Sequence, residues 1–386
     1  MRDKTFVPHD YDVFAGLDVD KKSISVTFTN HQGFIRSLHM PYSVEHLVNH
    51  VRKHFVDQKV AFAYEAGPTG YGLYDGLEAQ AYRCLIVSPS MIPKAPGQRV
   101  KTNRLDSQGL AENLRGGQLK SIHVPTPVYR ELRHLTQLRD TLVSEVSATK
   151  QRIKSLLLFE GIDFPPAPAG SQWSFMVKAK LRKLPCSSTV RFKLDQLLDS
   201  LEFSEKQVLK TTKEIRRFCQ NDPELSQCIK YLMTVAGIGW IVASQLLARI
   251  GDWRELKNVR HLGSFLGLVP TEHSTGDRTD RGSITRTGDG RLRSKLIQAA
   301  WSAIRQDGEL REFFRSVCHK HPRHQGARVA IVAVARKLTT RISVVLMQQR
   351  PYVLREKVHS TPVTQEETVP QGTTRRQAEP GEAKDS

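Results

Sequence analysis

Three short β-rich runs at turn-length spacing constrain this chain more than any other feature. Val13 to Val19 (VFAGLDV), Ser23 to Thr29 (SISVTFT) and Gly33 to Met40 (GFIRSLHM) are separated by gaps that admit only tight turns. That pattern predicts a three-stranded antiparallel meander. The period then changes. Val44 to Phe55 places Val44, Leu47, Val48 and Val51 on one helical face, and Val60 to Glu65 (VAFAYE) returns to strand. Helix-like Tyr71 to Gln80, strand-like Cys84 to Val87 and helix-like Leu105 to Leu114 complete the unit.

A meander followed by αβαβα is the element order of the ribonuclease H fold, so residues 1–127 are expected to form an α/β domain of that kind. The texture changes after it. From Tyr129 to Ile162, Leu132, Leu135, Leu142, Val146, Ile153 and Leu156 recur at spacings of three, four or seven, the pattern of a long helix with a coiled-coil seam. A Pro-rich break (FPPAPAG) intervenes, and a second long amphipathic stretch runs from Thr189 to Cys219. Residues 128–221 therefore read as a helical arm or a dimerisation device, and the sequence does not choose between the two. Residues 222–352 read as a mainly helical, all-α unit. Residues 353–386, rich in Thr, Gln, Glu and Pro without an apolar period, read as a disordered tail.

The charge narrows the partners. Lys and Arg number 58 against 39 Asp and Glu, a formal net charge of +19 over 386 residues. A field of that sign attracts polyanions, of which nucleic acid is the commonest. Five cysteines (Cys84, Cys186, Cys219, Cys228 and Cys318), odd in number and without a CxxC pair, support neither a disulfide framework nor a zinc knuckle. Reduced thiols in a cytoplasmic protein are expected. The polar N-terminus has no apolar core of a secretion signal, and no stretch approaches 18 uncharged apolar residues, which argues against a membrane span.

Three acids of the first unit sit where chemistry could use them. Asp18 lies at the end of the first strand, Glu65 at the end of VAFAYE, and Asp106 opens a helix after the basic segment KAPGQRVKTNRLDSQ. In a ribonuclease H-like sheet the first and fourth strands are neighbours, so Asp18 and Glu65 should meet. Crowded carboxylates repel unless divalent cations neutralise them, and paired Mg²⁺ ions held this way serve phosphodiester chemistry. Each acid taken singly has a structural use, as a turn cap, an exposed strand-end charge or a helix N-cap. Further along, TVAGIGWIVASQLLAR sets Gly237 and Gly239 before an apolar helix, an arrangement whose amides can hold a phosphate and which equally suits a plain helix-to-helix turn.

AGLDVDKK, YEAGPTGYGLYDGL, PSMIPKAPGQRVKTNRLDSQGLAENLRGG and FLGLVPTEHSTGDRTDRGSITRTGDGRLRSKLIQAAW, in that order between about Phe14 and Val345, resemble the DEDD-type insertion-sequence transposases related to the Piv DNA invertase. The resemblance implies a RuvC-like nuclease domain, a helical coiled-coil connector and a C-terminal transposase domain. It implies DNA strand cleavage and rejoining by an acidic quartet binding Mg²⁺ (or Mn²⁺) together with a C-terminal serine nucleophile. It also implies a noncoding guide RNA. Bringing the hydroxyl and the acids together between subunits, through the helical arm, would call for a homo-oligomer, dimer or tetramer. The quartet falls on Asp18, Glu65, Asn103 and Asp106, with Asn103 where many relatives carry an aspartate. The nucleophile falls on Ser274 or Thr275: strict register favours Thr275, and the less hindered primary hydroxyl favours Ser274. Lys94, Arg99, Lys101 and Arg104 precede Asp106, and Arg278, Arg281, Arg286, Arg291 and Arg293 follow the hydroxyls, placing phosphate-binding charge beside both reactive segments. Two rivals share these features: a RuvC-like structure-selective nuclease, which needs no hydroxyl, and an inactive nucleic-acid-binding remnant.

Overall fold

The computed structural model describes residues 6–93, 102–166, 172–275 and 278–353, with only the backbone described over 273–281. The expected tail therefore lies, apart from Val353, outside the described residues.

The meander forms as predicted. β1 (Val13–Val19), β2 (Ser23–Asn30) and β3 (Gly33–Pro41) pair antiparallel in sequence order. α1 (Val44–His54), capped by the Ser43 hydroxyl accepting from the His46 amide, leads to β4 (Val60–Glu65), which lies parallel to β1. α2 (Gly72–Ala79), β5 (Arg83–Val87) and α3 (Asn103–Arg115) follow. The finished sheet has the order β3-β2-β1-β4-β5, with β5 parallel to β4.

Strand alternation assigns the two faces of the sheet. Val13, Ala15, Leu17, Phe62, Tyr64 and Ile86 pack with Leu47 and Val51 of α1 and Leu73 and Leu77 of α2. Phe14, Ala61, Ala63, Leu85 and Val87 face the other way and pack with Leu110 and Leu114 of α3. One residue on β1 must be small for α3 to dock. A Cβ placed on Gly16 would lie 2.1 Å from the Ser107 carbonyl oxygen and 2.4 Å from the Ala111 nitrogen. Helix and strand touch backbone to backbone there, which only glycine permits.

The two long amphipathic segments are α4 (Pro127–Phe159) and α6 (Ser188–Asn221), and they pair with each other within the chain. Arg139 Nε donates to Thr212 Oγ1 at 2.9 Å and Lys150 pairs with Glu205 at 3.2 Å. Numbers rise along one helix as they fall along the other, so the pairing is antiparallel. At the distal end Ile153, Leu156 and Leu157 meet Leu194, Leu198 and Leu201, closed over by Val177 and Leu181 of the short α5 (Phe175–Leu181). At the proximal end Tyr129, Leu132, Ile215 and Cys219 join a second, larger core.

That core is helical, as expected, and gathers α7 (Pro223–Leu232), α8 (Trp240–Ile250), α9 (His261–Phe265), α10 (Gly290–Gln306), α11 (Gly308–His319) and α12 (Arg323–Gln348). Asp307 joins α10 to α11: it accepts the Leu310 amide as an N-cap and receives the Arg341 guanidinium at 2.5 Å. Both charged side chains are buried, Asp307 at 1% and Arg341 at 6% exposure. A feature the sequence reading did not anticipate is a two-stranded hairpin, β6 (Pro270–Thr275) with β7 (Arg278–Ile284), inserted between α9 and α10. No helix among the described residues is long and apolar enough to cross a membrane.

Candidate functional site

The same alternation that sorts the sheet's core sets the direction of its acids. Asp18 follows Phe14 and Gly16 on the α3 face of β1, and Glu65 follows Ala61 and Ala63 on the same face of β4. The parallel register runs from Val13 opposite Val60 to Leu17 opposite Tyr64. Asp18 and Glu65 are the next residue on each strand, so the two carboxylates stand on adjacent strand ends. Asp18 is half-buried and Glu65 exposed.

Helix α3 brings the remaining quartet positions to this end of the sheet. Thr102 caps it, its hydroxyl accepting from the Leu105 amide at 3.3 Å, and Asn103 and Asp106 occupy its first turn. Ser107, the residue after Asp106, abuts Gly16 and is tied to the sheet by hydroxyls. Ser107 Oγ donates to the Arg104 carbonyl at 2.9 Å and so has no proton left for Thr27, whose Oγ1 lies 2.8 Å away and must donate to it. Thr27 in turn meets Ser37 Oγ at 2.7 Å. Asn103 Nδ2 donates to Asp20 Oδ2 at 3.0 Å, an acid the sequence reading did not single out although it lies two residues past Asp18. Behind Glu65, the fully buried Tyr64 donates its hydroxyl to the Gly70 carbonyl at 3.2 Å and so holds the GPTG turn. Burial pushes the Tyr64 phenol well above its ordinary range, keeping it a donor.

The donor chemistry, three carboxylates and an amide on one sheet end, suits a hard divalent cation such as Mg²⁺. Among the described residues, however, no group of three or more His, Cys, Asp or Glu is close enough to hold a metal ion. The register pairs Asp18 with Glu65; Asp106 stands on the adjoining helix turn.

Ser274 and Thr275 fall at the distal end of β6, opposite Thr279 and Arg278 of β7. The hairpin's principal contacts are between its own strands; β1, β4 and α3 are not among its main partners. The segment reads as a polar loop because TEHST lacks apolar alternation. The Gly276–Asp277 dipeptide between two Thr-containing runs is the sequence signal that marks a hairpin.

The expected phosphate contacts divide. Lys94, Arg99 and Lys101 lie outside the described residues, as do the side chains of Arg278 and Arg281. Arg104, Arg286 and Arg291 are exposed. Arg293 is used internally: its guanidinium donates to the Leu266 and Thr287 carbonyls at 3.0 and 3.1 Å, fixing the segment that leaves the hairpin. The Gly237–Gly239 turn also differs from a phosphate cradle. Gly237 has φ +79°, a Cβ there would lie 2.2 Å from the Ala299 carbonyl oxygen, and its amide donates to Gln306 Oε1 at 3.0 Å. Gly237 thus lets α10 approach and its amide is taken. Gly239, the N-cap of α8, is exposed, and a Cβ placed on it would meet nothing within 4 Å.

Comparison with known proteins bears on both halves. Residues 15–160 match the profile of the DEDD transposases of the IS110 group, and residues 229–315 that of the transposase IS116/IS110/IS902 family. Protein y4qE of Sinorhizobium fredii, named as a transposase, is 30% identical over 299 residues, covering 75% of this chain and 72% of its own. The chain belongs to the IS116/IS110/IS902 transposase family. The transposase of insertion sequence element IS1328 from Yersinia enterocolitica is 30% identical over 62% of this chain and 70% of its own. The pilin gene-inverting protein of Moraxella bovis is 28% identical over 46% of this chain and 54% of its own. As a member of this family the chain is an enzyme of DNA transposition, and the profile matches cover both the acid-bearing sheet and the start of the helical core together with the hairpin.

Proposed function

We propose that this transposase cleaves and rejoins the DNA strands of a mobile insertion sequence, with Asp18 and Glu65 as the pair that would hold a divalent cation, Asp106 closing in from the adjoining helix turn once metal and DNA are bound, and the hydroxyl of Ser274 or Thr275 as nucleophile. The observation that carries the reading is the β1–β4 register, which sets two carboxylates side by side on the face α3 covers. The sheet order supports a RuvC/ribonuclease H-like domain within residues 1–127; a helical arm over 128–221 and a transposase domain over 222–352 are proposed from the pairing of α4 with α6 and from the larger helical core.

Magnesium or manganese held by these acids would supply positive charge to the carboxylates and to the phosphate under attack. Asn103 would add a neutral carbonyl oxygen in place of a fourth charge. The protein hydroxyl attacks phosphorus: a P–O bond to the protein forms as one P–O bond within the strand breaks, the hydroxyl proton leaves, and the departing strand oxygen takes up a proton. Attack by the hydroxyl of an incoming strand reverses these changes and restores the side chain. One phosphodiester replaces another, so bond energy is conserved for rejoining. The name of the Moraxella bovis relative, which inverts a gene, supports cutting with rejoining over simple hydrolysis.

Arg104, Arg286 and Arg291 would hold phosphates without reading sequence, leaving the choice of sites to a noncoding guide RNA. Leu158, Phe159, Phe175 and Phe192, exposed near the end of the arm, would serve a homo-oligomer, a dimer or tetramer in which one chain's hairpin reaches another's acids.

The test is incubation of the protein with an element-end duplex, the adjoining noncoding RNA and Mg²⁺. A covalent protein–DNA adduct is expected, abolished by Ser274→Ala if Ser274 is the nucleophile and only by Thr275→Ala if the register holds. Cutting without any adduct overturns the covalent route. Asp18→Ala and Glu65→Ala should abolish cleavage while leaving nucleic-acid binding within a few-fold; full activity in either removes the acids from the mechanism.

A further inference from the structure

The strand register continues past the acid pair. Asp18 on β1 stands opposite Ser25 on β2, and Ser25 stands opposite His39 on β3. All three lie on the face that α3 covers, since the neighbouring row on that face, Gly16, Thr27 and Ser37, runs beneath Ser107. Glu65, Asp18, Ser25 and His39 therefore form one row across four strands. With strands about 4.8 Å apart, His39 stands roughly 10 Å from Asp18.

A cavity of about 470 Å³ opens at the β3 end of this row, between β2, β3 and the first turns of α3. Ser25, Ser37, His39, Arg104 and Ser107 contribute to its lining, and among the described residues no acid does. Two cavities in the helical core differ: one carries Asp140 and Asp289, the other Asp252, Glu255 and Asp289. Some of the hydroxyls are already spent. Ser107 donates to the Arg104 carbonyl and Thr27 to Ser107, so Ser37, 2.7 Å from Thr27, must donate to Thr27. The donors left for a ligand lie in the row and above it. Ser25 Oγ and His39 Nδ1 are 3.2 Å apart. A neutral imidazole and a hydroxyl carry one such proton each and their mutual bond uses one, so the pair keeps one donor free in either tautomer. The exposed Arg104 guanidinium meets no carboxylate in this lining. A cation and a free donor without a competing acid suit a phosphate.

We propose that this groove seats the sugar–phosphate backbone of the DNA strand being cut, with Arg104 and the Ser25–His39 pair donating to phosphates that neighbour the one at Asp18 and Glu65. The inference rests on the reading that these acids act on DNA. It adds a path: the strand crosses from β4 toward the β3 edge, held by contacts that position it without reading its bases.

Charge-matched variants test it. His39→Glu puts a carboxylate in the groove, and His46→Glu makes the same change of charge on α1, which packs on the other face of the sheet. Both side chains are exposed, so both variants should fold, which thermal melting checks. Fluorescence anisotropy follows binding of an element-end DNA duplex and of the adjoining RNA over a range of salt. For DNA, His39→Glu should weaken binding roughly ten-fold or more, from the usual strength of a hydrogen bond to a charged group, and His46→Glu by less than about three-fold. Arg104→Gln should weaken DNA binding and lower the salt slope by about 0.9, the value for one phosphate. When phosphates beside the mapped cut are replaced one at a time by neutral methylphosphonate, one replacement should weaken the wild type and leave Arg104→Gln unchanged. Equal losses in His39→Glu and His46→Glu, an effect on RNA alone, or replacements that cost both proteins the same overturn the groove. Absence of cutting by the wild type would count against the acid-site reading instead, and the comparison of His39→Glu with His46→Glu would still decide the groove.

Discussion

Replacing Gly16 by alanine tests whether docking of α3 on β1 sets the acid site. In an ordinary strand the change would be neutral or slightly favourable, since glycine there is entropically costly. Here the added Cβ would lie 2.1 Å from the Ser107 oxygen, 2.4 Å from the Ala111 nitrogen and 2.9 Å from Leu110 Cβ. An unstrained carbon–oxygen contact is about 3.3 Å or more, so α3 must recede by roughly 1 Å. Overpacking usually costs about 1–3 kcal/mol, and because two of these contacts are helix backbone the upper part of that range is expected. The displaced first turn carries Asn103 and Asp106 away from Asp18 and Glu65. A shift of about 1 Å in a catalytic constellation can cost roughly a hundred-fold in rate. Gly109 is the internal control: it lies in the same helix, nothing would meet its Cβ within 4 Å, and Gly109→Ala should stabilise by about 0.5–1 kcal/mol. Urea unfolding measures the stability change and strand cleavage on an element-end duplex measures the rate. Wild-type stability and cleavage in Gly16→Ala would refute the contact as the positioning device.

Asn103→Asp sets a second carboxylate against Asp20, where an amide now donates at 3.0 Å; the Mg²⁺ concentration for half-maximal cleavage should fall, and an unchanged requirement takes position 103 out of the metal site. Asp307→Ala removes the α11 cap and the buried partner of Arg341, leaving its guanidinium with only the more exposed Glu309 at 3.0 Å, so unfolding free energy should drop by about 3 kcal/mol; a loss below about 1 kcal/mol in urea would mean that Glu309 alone compensates the Arg341 charge. His50 packs on Phe28 and beside His54, and burial, followed by Arg36, His54 and Lys53, lowers its pKa. With the folded pKa below the ordinary value of about 6.5, the unfolded chain binds more protons. Stability should therefore hold above that pH and decline as pH falls through it, and His50→Gln should flatten the decline; an identical profile in the variant would assign it elsewhere.

Much of the acid-bearing sheet is legible in the sequence because its signals are local. Alternation in VFAGLDV and VAFAYE marks strands, and Asp18 and Glu65 occupy the last two positions of their runs whatever surrounds them; the start of α3 is less plain, since Asp106 also suits an N-cap and the structure gives that place to Thr102. The hairpin bearing Ser274 and Thr275 is less legible because its strands are polar on both faces and lack the apolar alternation on which strand recognition depends. The Gly237 turn looked equally suited to a phosphate or to packing. Only the position of α10, some sixty residues later in the chain, decides for packing, by placing the Ala299 carbonyl against its Cα and the Gln306 side chain on its amide.

By itself the sequence determined the order of strands and helices in the acid-bearing unit, the seam of the long helical arm and the excess of positive charge. Those properties follow from steric and burial preferences acting over a few residues. Tertiary structure decided the rest: that Asp18 and Glu65 stand in adjacent register, that Asn103 reaches Asp20, and that Arg293 serves a loop instead of a phosphate. These outcomes depend on which distant segments share a packed surface, and the free energy of that packing is written in no single stretch of the chain.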